Sequence, residues 1–308
     1  MGKRHLRLGH SPDADDAFMF YALSTRRVDT GAFEFEHVLA DIQTLNEWAL
    51  SGELEVTAIS VAAYPLVTSR YALLSSGASM GGADLAAYVP DDSLDPPAAA
   101  HAARHTPPAA PPDRAQGPLL LARPAVTIDQ LKHAVIAVPG TMTSAFLALQ
   151  LALGPVAYTV MPFDAILPAV ASGRAAAGLV IHEAQLTYPD HGLHSLLDLG
   201  RWWFQRTGLP LPLGCNVVRR DLGRDALPCI ARILRAGIEY ALAHRADALR
   251  HALPFARGLD QTRADAFVSL YVNEWTISLG PLGRRAVTEF LRAGAHAGLL
   301  PPCPVEFV

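Results

Sequence analysis

Short apolar runs alternate with stretches of helical spacing along most of the chain, and that alternation restricts the fold more than any other feature. Leu6-Arg7-Leu8-Gly9-His10 reads as a first strand, Phe33 to Val38 as a second and Val56-Thr57-Ala58-Ile59 as a third. Further runs at Leu119 to Ala122, Ala134 to Val138, Ala157 to Val160 and Gly178 to Ile181 read the same way. Between them Ile42, Leu45 and Trp48 recur at helical intervals, a helix is expected from about Ser144 and another from Asp164, and the last third is mainly helical. Strand and helix in alternation imply an α/β fold with mixed, mostly parallel sheets flanked by helices. With 308 residues, 51% hydrophobic and 18% charged, the chain can fill a sizeable core and exceeds one ordinary domain.

One segment breaks the pattern. Eight prolines fall among alanines between Pro90 and Pro118, a composition that cannot bury enough apolar surface to offset its ordering entropy. It reads as a surface insertion. Around it we expect a first lobe over 1–124, a second over 125–204, and a return to the first with C-terminal helices over 205–308. Net charge is −4 and the basic residues are scattered, so no stripe tracks a phosphate backbone and nucleic acid is not an expected partner. Ala145 to Phe163 is the most apolar stretch, but Gly154-Pro155 interrupts it, so it reads as a short buried helix and a buried strand rather than a membrane span. The N-terminus lacks an apolar stretch of the signal-peptide kind, and three cysteines form no C-x-x-C. A cytoplasmic protein acting on a small molecule is expected.

Two segments echo each other. Trp48-Ala49-Leu50-Ser51-Gly52 leads through a strand to Ser60, and Ala169-Val170-Ala171-Ser172-Gly173 leads through a strand to His182. In open α/β sheets ligands bind beyond the carboxyl ends of the strands. The groups found there are Ser11 and Asp13 after the first strand, Ser60 at the end of the third, Thr143-Ser144 before a helix, and His182-Glu183. Thr143 and Ser144 can hold an anion at a helix start or serve as a plain N-cap. His182 suits a general base at a cleft mouth, or a hydrogen-bonded core histidine. Asp13 reads as a helix cap, and Asp15 and Asp16 either orient substrate or complement the helix dipole.

Three patterns carry no chemistry on this reading. Gly77-Ala78-Ser79-Met80-Gly81 fits G-x-S-x-G but lacks the helix a nucleophile elbow requires, and reads as a glycine-rich turn. His182-Glu183-Ala184-Gln185-Leu186 has Leu186 where a zinc helix needs its second histidine. His101 and His105 sit in the proline-rich segment without partner ligands. No metal and no cofactor is expected.

The segments Ser11-Pro12 with Asp15-Asp16, Phe18 to Leu23, Leu45 to Leu50, Ile181-His182-Glu183, Arg206 to Gly214 and Tyr271-Val272-Asn273 together resemble the 1,4-dihydroxy-6-naphthoate synthase family of the futalosine route to menaquinone. The resemblance covers nearly the whole chain outside the insertion. It implies a two-lobed fold of the periplasmic-binding-protein type II kind. It also implies a carbon–carbon lyase that splits cyclic dehypoxanthine futalosine into 1,4-dihydroxy-6-naphthoate and a dihydroxyacetone unit. His182 then maps onto the proton acceptor, with Ala58, Ile59, Ser60, Thr143, Ser144, Ser11 and Asp16 around the substrate. Many relatives have Cys-Pro-Asn-Asp where this chain has Asp13-Ala14-Asp15-Asp16, so Asp15 is expected to put a charge in place of an amide. A solute-binding protein of the same fold and chorismate dehydratase are the alternatives. The His-Glu pair and the Leu-Pro-Leu-Pro-Leu-Gly run favour the synthase family.

Overall fold

The computed structural model describes residues 2–81 and 117–308. The proline-rich segment, with His101 and His105, lies outside the described residues apart from Gly117 and Pro118.

Eleven described strands build two sheets: β1 Arg4–His10, β2 Phe33–Leu39, β3 Val56–Ser60, β4 Tyr71–Leu73, β5 Ser79–Gly81, β6 Leu119–Ala122, β7 Val135–Val138, β8 Ala157–Val160, β9 Ala177–Val180, β10 His194–Asp198 and β11 Leu211–Arg219. The first sheet runs β2-β1-β3-β11-β4, with β5 also on β11; the second runs β10-β6-β9-β7-β8. In the first, β2, β1 and β3 are parallel and β11 lies antiparallel to β3. In the second, β8, β7 and β9 are parallel and β6 lies antiparallel to β9. Each half therefore repeats one plan, as the echo between Ser51-Gly52 and Ser172-Gly173 suggests. Both glycines stop the preceding helix at positive φ, 78° and 79°, where a side chain is strained. The parallel bias holds within each three-strand unit, and antiparallel strands complete both sheets.

Two expectations need correcting. Leu119–Ala122 falls in the 1–124 stretch assigned to the first lobe, yet β6 pairs with β9 and β10, so the chain enters the second sheet before Leu119. The long β11 then brings it back to the first sheet. The strand after Gly154-Pro155 is not buried: β8 takes the sheet edge, and Tyr158 and Val160 are about half exposed. No helix of the described residues is long and apolar enough to cross a membrane.

The core follows the sheets. Leu6, Leu8 and Val56 pack against Phe18, Leu234, Ile238 and Phe267 from the helices on one side. Ile136, Val138 and Leu179 share a second cluster with Leu147 on helix Ser144–Leu153, Val217 on β11 and Phe290 on helix Gly280–His296. That cluster ties the two sheets together. Helix Ile42–Ser51 is capped by the Asp41 carboxylate, which accepts from the Gln43 and Thr44 amides at 3.0 and 3.1 Å. It lies close over β1 at Gly9, where a Cβ would stand 2.8 Å from Thr57 Oγ1 and 2.9 Å from Leu45 Cδ2, and against Leu54. Gly9→Ala is therefore expected to overpack this contact and cost about 1–3 kcal/mol, read as a lower midpoint in urea unfolding.

Candidate active site

The carboxyl ends of β1, β3, β7 and β9 point toward one cleft between the sheets. Ser11, Asp16, Ala58, Ile59, Ser60, Thr143, Ser144 and His182 all line it, as do Asp13 and Asp15. Residues scattered over the chain are thus brought to one concave site.

His182 ends β9 with a positive φ of 56°, a region costly for a side chain with a Cβ. That turn aims the ring at the opposite sheet's segment, and Nδ1 lies 3.0 Å from Asp13 Oδ2. Asp13 sits at the N-cap position of helix Ala14–Met19 but makes no side-chain cap hydrogen bond. Its carboxylate serves the imidazole instead, which corrects the capping reading. Nδ1 thus faces the Asp13 carboxylate, while Nε2 is buried and has no partner. Phe163 meets the ring edge-on at 5.1 Å, and Arg257 lies over the Phe163 ring at 4.4 Å. Burial pushes the imidazole down, but the Asp13 carboxylate outweighs it and holds His182 above its ordinary 6.5. Burial likewise pushes Asp13 up, and His182 outweighs that, holding it well below the usual carboxylate range.

The other carboxyls behave in the opposite way. Burial and the Asp13 charge push Asp16 up to about 8, although its Oδ2 accepts from the Ser11 amide at 2.7 Å. Burial, then Asp13 and Asp16, push Asp15 well above the ordinary value. Burial raises Glu183 too, although Arg257 Nε stands 3.5 Å from its Oε2. Asp13 is the carboxylate of this group that faces the imidazole. Asp13, Asp15 and His182 have ligand-type atoms within 4.8 Å of one another, the one such grouping among the described residues. They form an acid–imidazole pair, Asp13 with His182, and a neighbouring carboxyl.

The facing wall is a helix start. Thr143 does cap helix Ser144–Leu153: its Oγ1 accepts from the Phe146 amide at 3.1 Å and donates to Gly140 O at 2.9 Å. Its hydroxyl is thereby occupied. Ser144 Oγ donates to Leu213 O at 2.6 Å and accepts from the Ala62 amide at 3.1 Å, pinning the helix to the first sheet. What this wall offers a ligand is therefore the first-turn amides of Ser144 and Ala145, which no helical carbonyl can satisfy. Ser60 is held by buried Asn46, whose Oδ1 accepts from the Ser60 amide at 2.8 Å and whose Nδ2 donates to Ser60 Oγ at 3.0 Å. The Ser60 hydroxyl proton is left for the cleft.

Several cleft residues escaped the sequence reading. Tyr271 donates to Gln185 Oε1 at 2.7 Å beneath the cleft, from helix Gln261–Tyr271 across to the segment after His182. Ser79 lines the cleft and its Oγ accepts from the Gly214 amide at 3.1 Å. It lies on β5 rather than in a glycine-rich turn. Asn46 and Asp13 had a legible signal, a polar residue on an apolar helix face and an acid beside a strand end.

The family model described as menaquinone biosynthesis matches residues 6–83 and 107–296, most of the chain. The chain belongs to the menaquinone biosynthesis family. Every cleft residue named above falls within the matched segments. Among relatives of this family, the 1,4-dihydroxy-6-naphthoate synthase of Thermus thermophilus is 38% identical over 97% of both chains. That of Streptomyces coelicolor is 35% identical over 96% of this chain and 95% of its own. A crystal structure of an Archaeoglobus fulgidus protein, 38% identical, superposes with a TM-score of 0.81 over 96% of this chain and 98% of that one. An alkanesulfonate-binding protein from Xanthomonas axonopodis shares only 12% identity, with a TM-score of 0.65 over 99% of this chain and 97% of its own. The family thus has the periplasmic-binding-protein fold, two sheets flanked by helices.

Proposed function

We propose that this enzyme carries out the 1,4-dihydroxy-6-naphthoate synthase reaction, splitting cyclic dehypoxanthine futalosine into 1,4-dihydroxy-6-naphthoate and a three-carbon dihydroxyacetone unit, with His182 as general base. The observation that carries the role of His182 is its geometry: Nδ1 anchored 3.0 Å from Asp13 and Nε2 unpartnered in the cleft. A solute-binding protein needs no strained, carboxylate-backed imidazole.

In this reading Nε2 takes a hydroxyl proton from the sugar-derived ring. The alkoxide collapses to a carbonyl, the neighbouring carbon–carbon bond breaks, and its electron pair passes into the ring system that becomes aromatic. Negative charge that develops there meets the Ser144 and Ala145 amides and the Ser60 hydroxyl, a preorganised set that costs no reorganisation at the moment of reaction. Ser11 and Asp16 border the same space and orient the substrate's polar groups.

The test is incubation of the purified protein with cyclic dehypoxanthine futalosine, followed by mass-resolved chromatography. Formation of 1,4-dihydroxy-6-naphthoate is expected. Tight binding without product would replace the reading with that of a binding protein.

A further inference from the structure

Asp13, Asp15 and His182 bring ligand-type atoms within 4.8 Å of one another, and all three line the cleft. Asp13 and Asp15 come from the start of helix Ala14–Met19, after β1, and His182 from the turn after β9, so the group bridges the two sheets. Acidic groups often gather at a surface without binding anything. This group differs because Asp13 is only 1% exposed, yet neither of its oxygens has a hydrogen-bond partner. His182 Nδ1 stands 3.0 Å from Asp13 Oδ2 without forming a hydrogen bond to it. His182 Nε2 and Asp15 Oδ1 are buried and equally without one. Arg257 does not supply the missing charge: it stands 3.5 Å from Glu183 and donates to Pro12 O at 3.2 Å. Buried polar atoms left unpaired are costly, and folded proteins satisfy them with protein groups, water or an ion.

The spacing and the chemistry suit an ion. Around a cation whose ligands lie about 2.1 Å away, neighbouring ligand atoms stand about 3.0–3.4 Å apart. The 3.0 Å between Nδ1 and Oδ2 is such a separation. One imidazole and two carboxylates fit a first-row divalent cation, whereas calcium and magnesium favour an all-oxygen set. The two carboxylates balance its charge, and three protein ligands leave coordination positions open to the cleft. We propose that Asp13, Asp15 and His182 form a binding site for a first-row divalent metal cation such as zinc, and that occupancy of the site switches the enzyme off. An imidazole bound through Nδ1 carries its proton on Nε2, and one bound through Nε2 has given up the lone pair there. In neither case can His182 accept a proton from substrate. The inhibitory consequence rests on His182 being the base; the site itself does not. Because the ion joins residues of both sheets, its binding also stabilises the folded chain.

The experiment titrates chelator-treated protein with zinc chloride by calorimetry, and repeats the titration on Asp15→Asn and His182→Gln. Wild type is expected to show a site that each variant weakens by about tenfold or more. Saturating zinc is expected to raise the thermal midpoint of wild type more than that of either variant. Equal zinc affinity in all three proteins would mean adventitious binding elsewhere and overturns the proposal, as does no binding by wild type at about 1 mM zinc. Should a variant fail to fold, wild-type crystals grown with zinc decide the matter. An anomalous peak is expected about 2.0–2.2 Å from atoms of Asp13, Asp15 and His182, and peaks only elsewhere overturn the site. In the lyase assay zinc is expected to stop turnover and a chelator to restore it. Unchanged or faster turnover with the site occupied overturns the inhibitory role. No turnover with or without zinc would remove the proposed reaction, while calorimetry still decides the metal site.

Discussion

His182→Ala is expected to lower turnover by about two to four orders of magnitude with little change in stability. Removing the imidazole deletes the group that accepts the substrate proton, while the amides of Ser144 and Ala145 and the Ser60 hydroxyl remain to bind and polarise. Those donors explain why a residue of catalysis should survive rather than vanish. The fold has little reason to fail, since the ring is packed chiefly against Phe163 and the side chain retains 16% exposure to the cleft. The positive φ is unfavourable for alanine as it is for histidine, so the substitution leaves that strain in place. Single-turnover product formation checks the loss, and thermal unfolding checks the fold. Near-normal turnover in a folded variant would exclude His182 as the base.

Asp13→Asn is expected to lower turnover by a comparable margin, about two to four orders, and to move the pH dependence in a defined direction. In the wild type the base form of His182 grows as pH rises through a value held above 6.5 by Asp13, so activity should rise with pH through that region. An asparagine removes the charge that opposes burial. The imidazole midpoint then falls below 6.5, and the acid limb of the rate profile shifts to lower pH. The plateau also falls, because an amide does not fix the Nδ1–H tautomer as a carboxylate does and cannot stabilise the imidazolium once it has taken the proton. A lower plateau with an unmoved limb would mean that Asp13 acts on the substrate and not through His182.

His182 was accessible to the strand-end rule because it follows an apolar strand directly, and a polar residue there has few places to point but the cleft. Asp13 was accessible only as an acid near a helix start, where local chemistry favours capping over everything else. Its actual partner comes from the other sheet. Thr143 illustrates the reverse: the local reading of a cap holds, and the hydroxyl is used up by its own helix and the preceding loop. Ser144 does something no local rule contains, tying its helix to Ala62 and Leu213 of the first sheet.

By itself the amino-acid order determined what depends on neighbours a few residues away: the strands, the helices, the Gly52 and Gly173 stops, the doubled plan and the polar residues set at strand ends. Only the tertiary structure decided which of those ends meet. It moved Leu119–Ala122 into the second sheet, put β8 at an edge, and joined Asp13 to His182 across the cleft. Such pairings are fixed by how two sheets pack and by where a buried charge can find its complement. A buried carboxylate without a partner is costly enough that the fold supplies one from any distance along the chain.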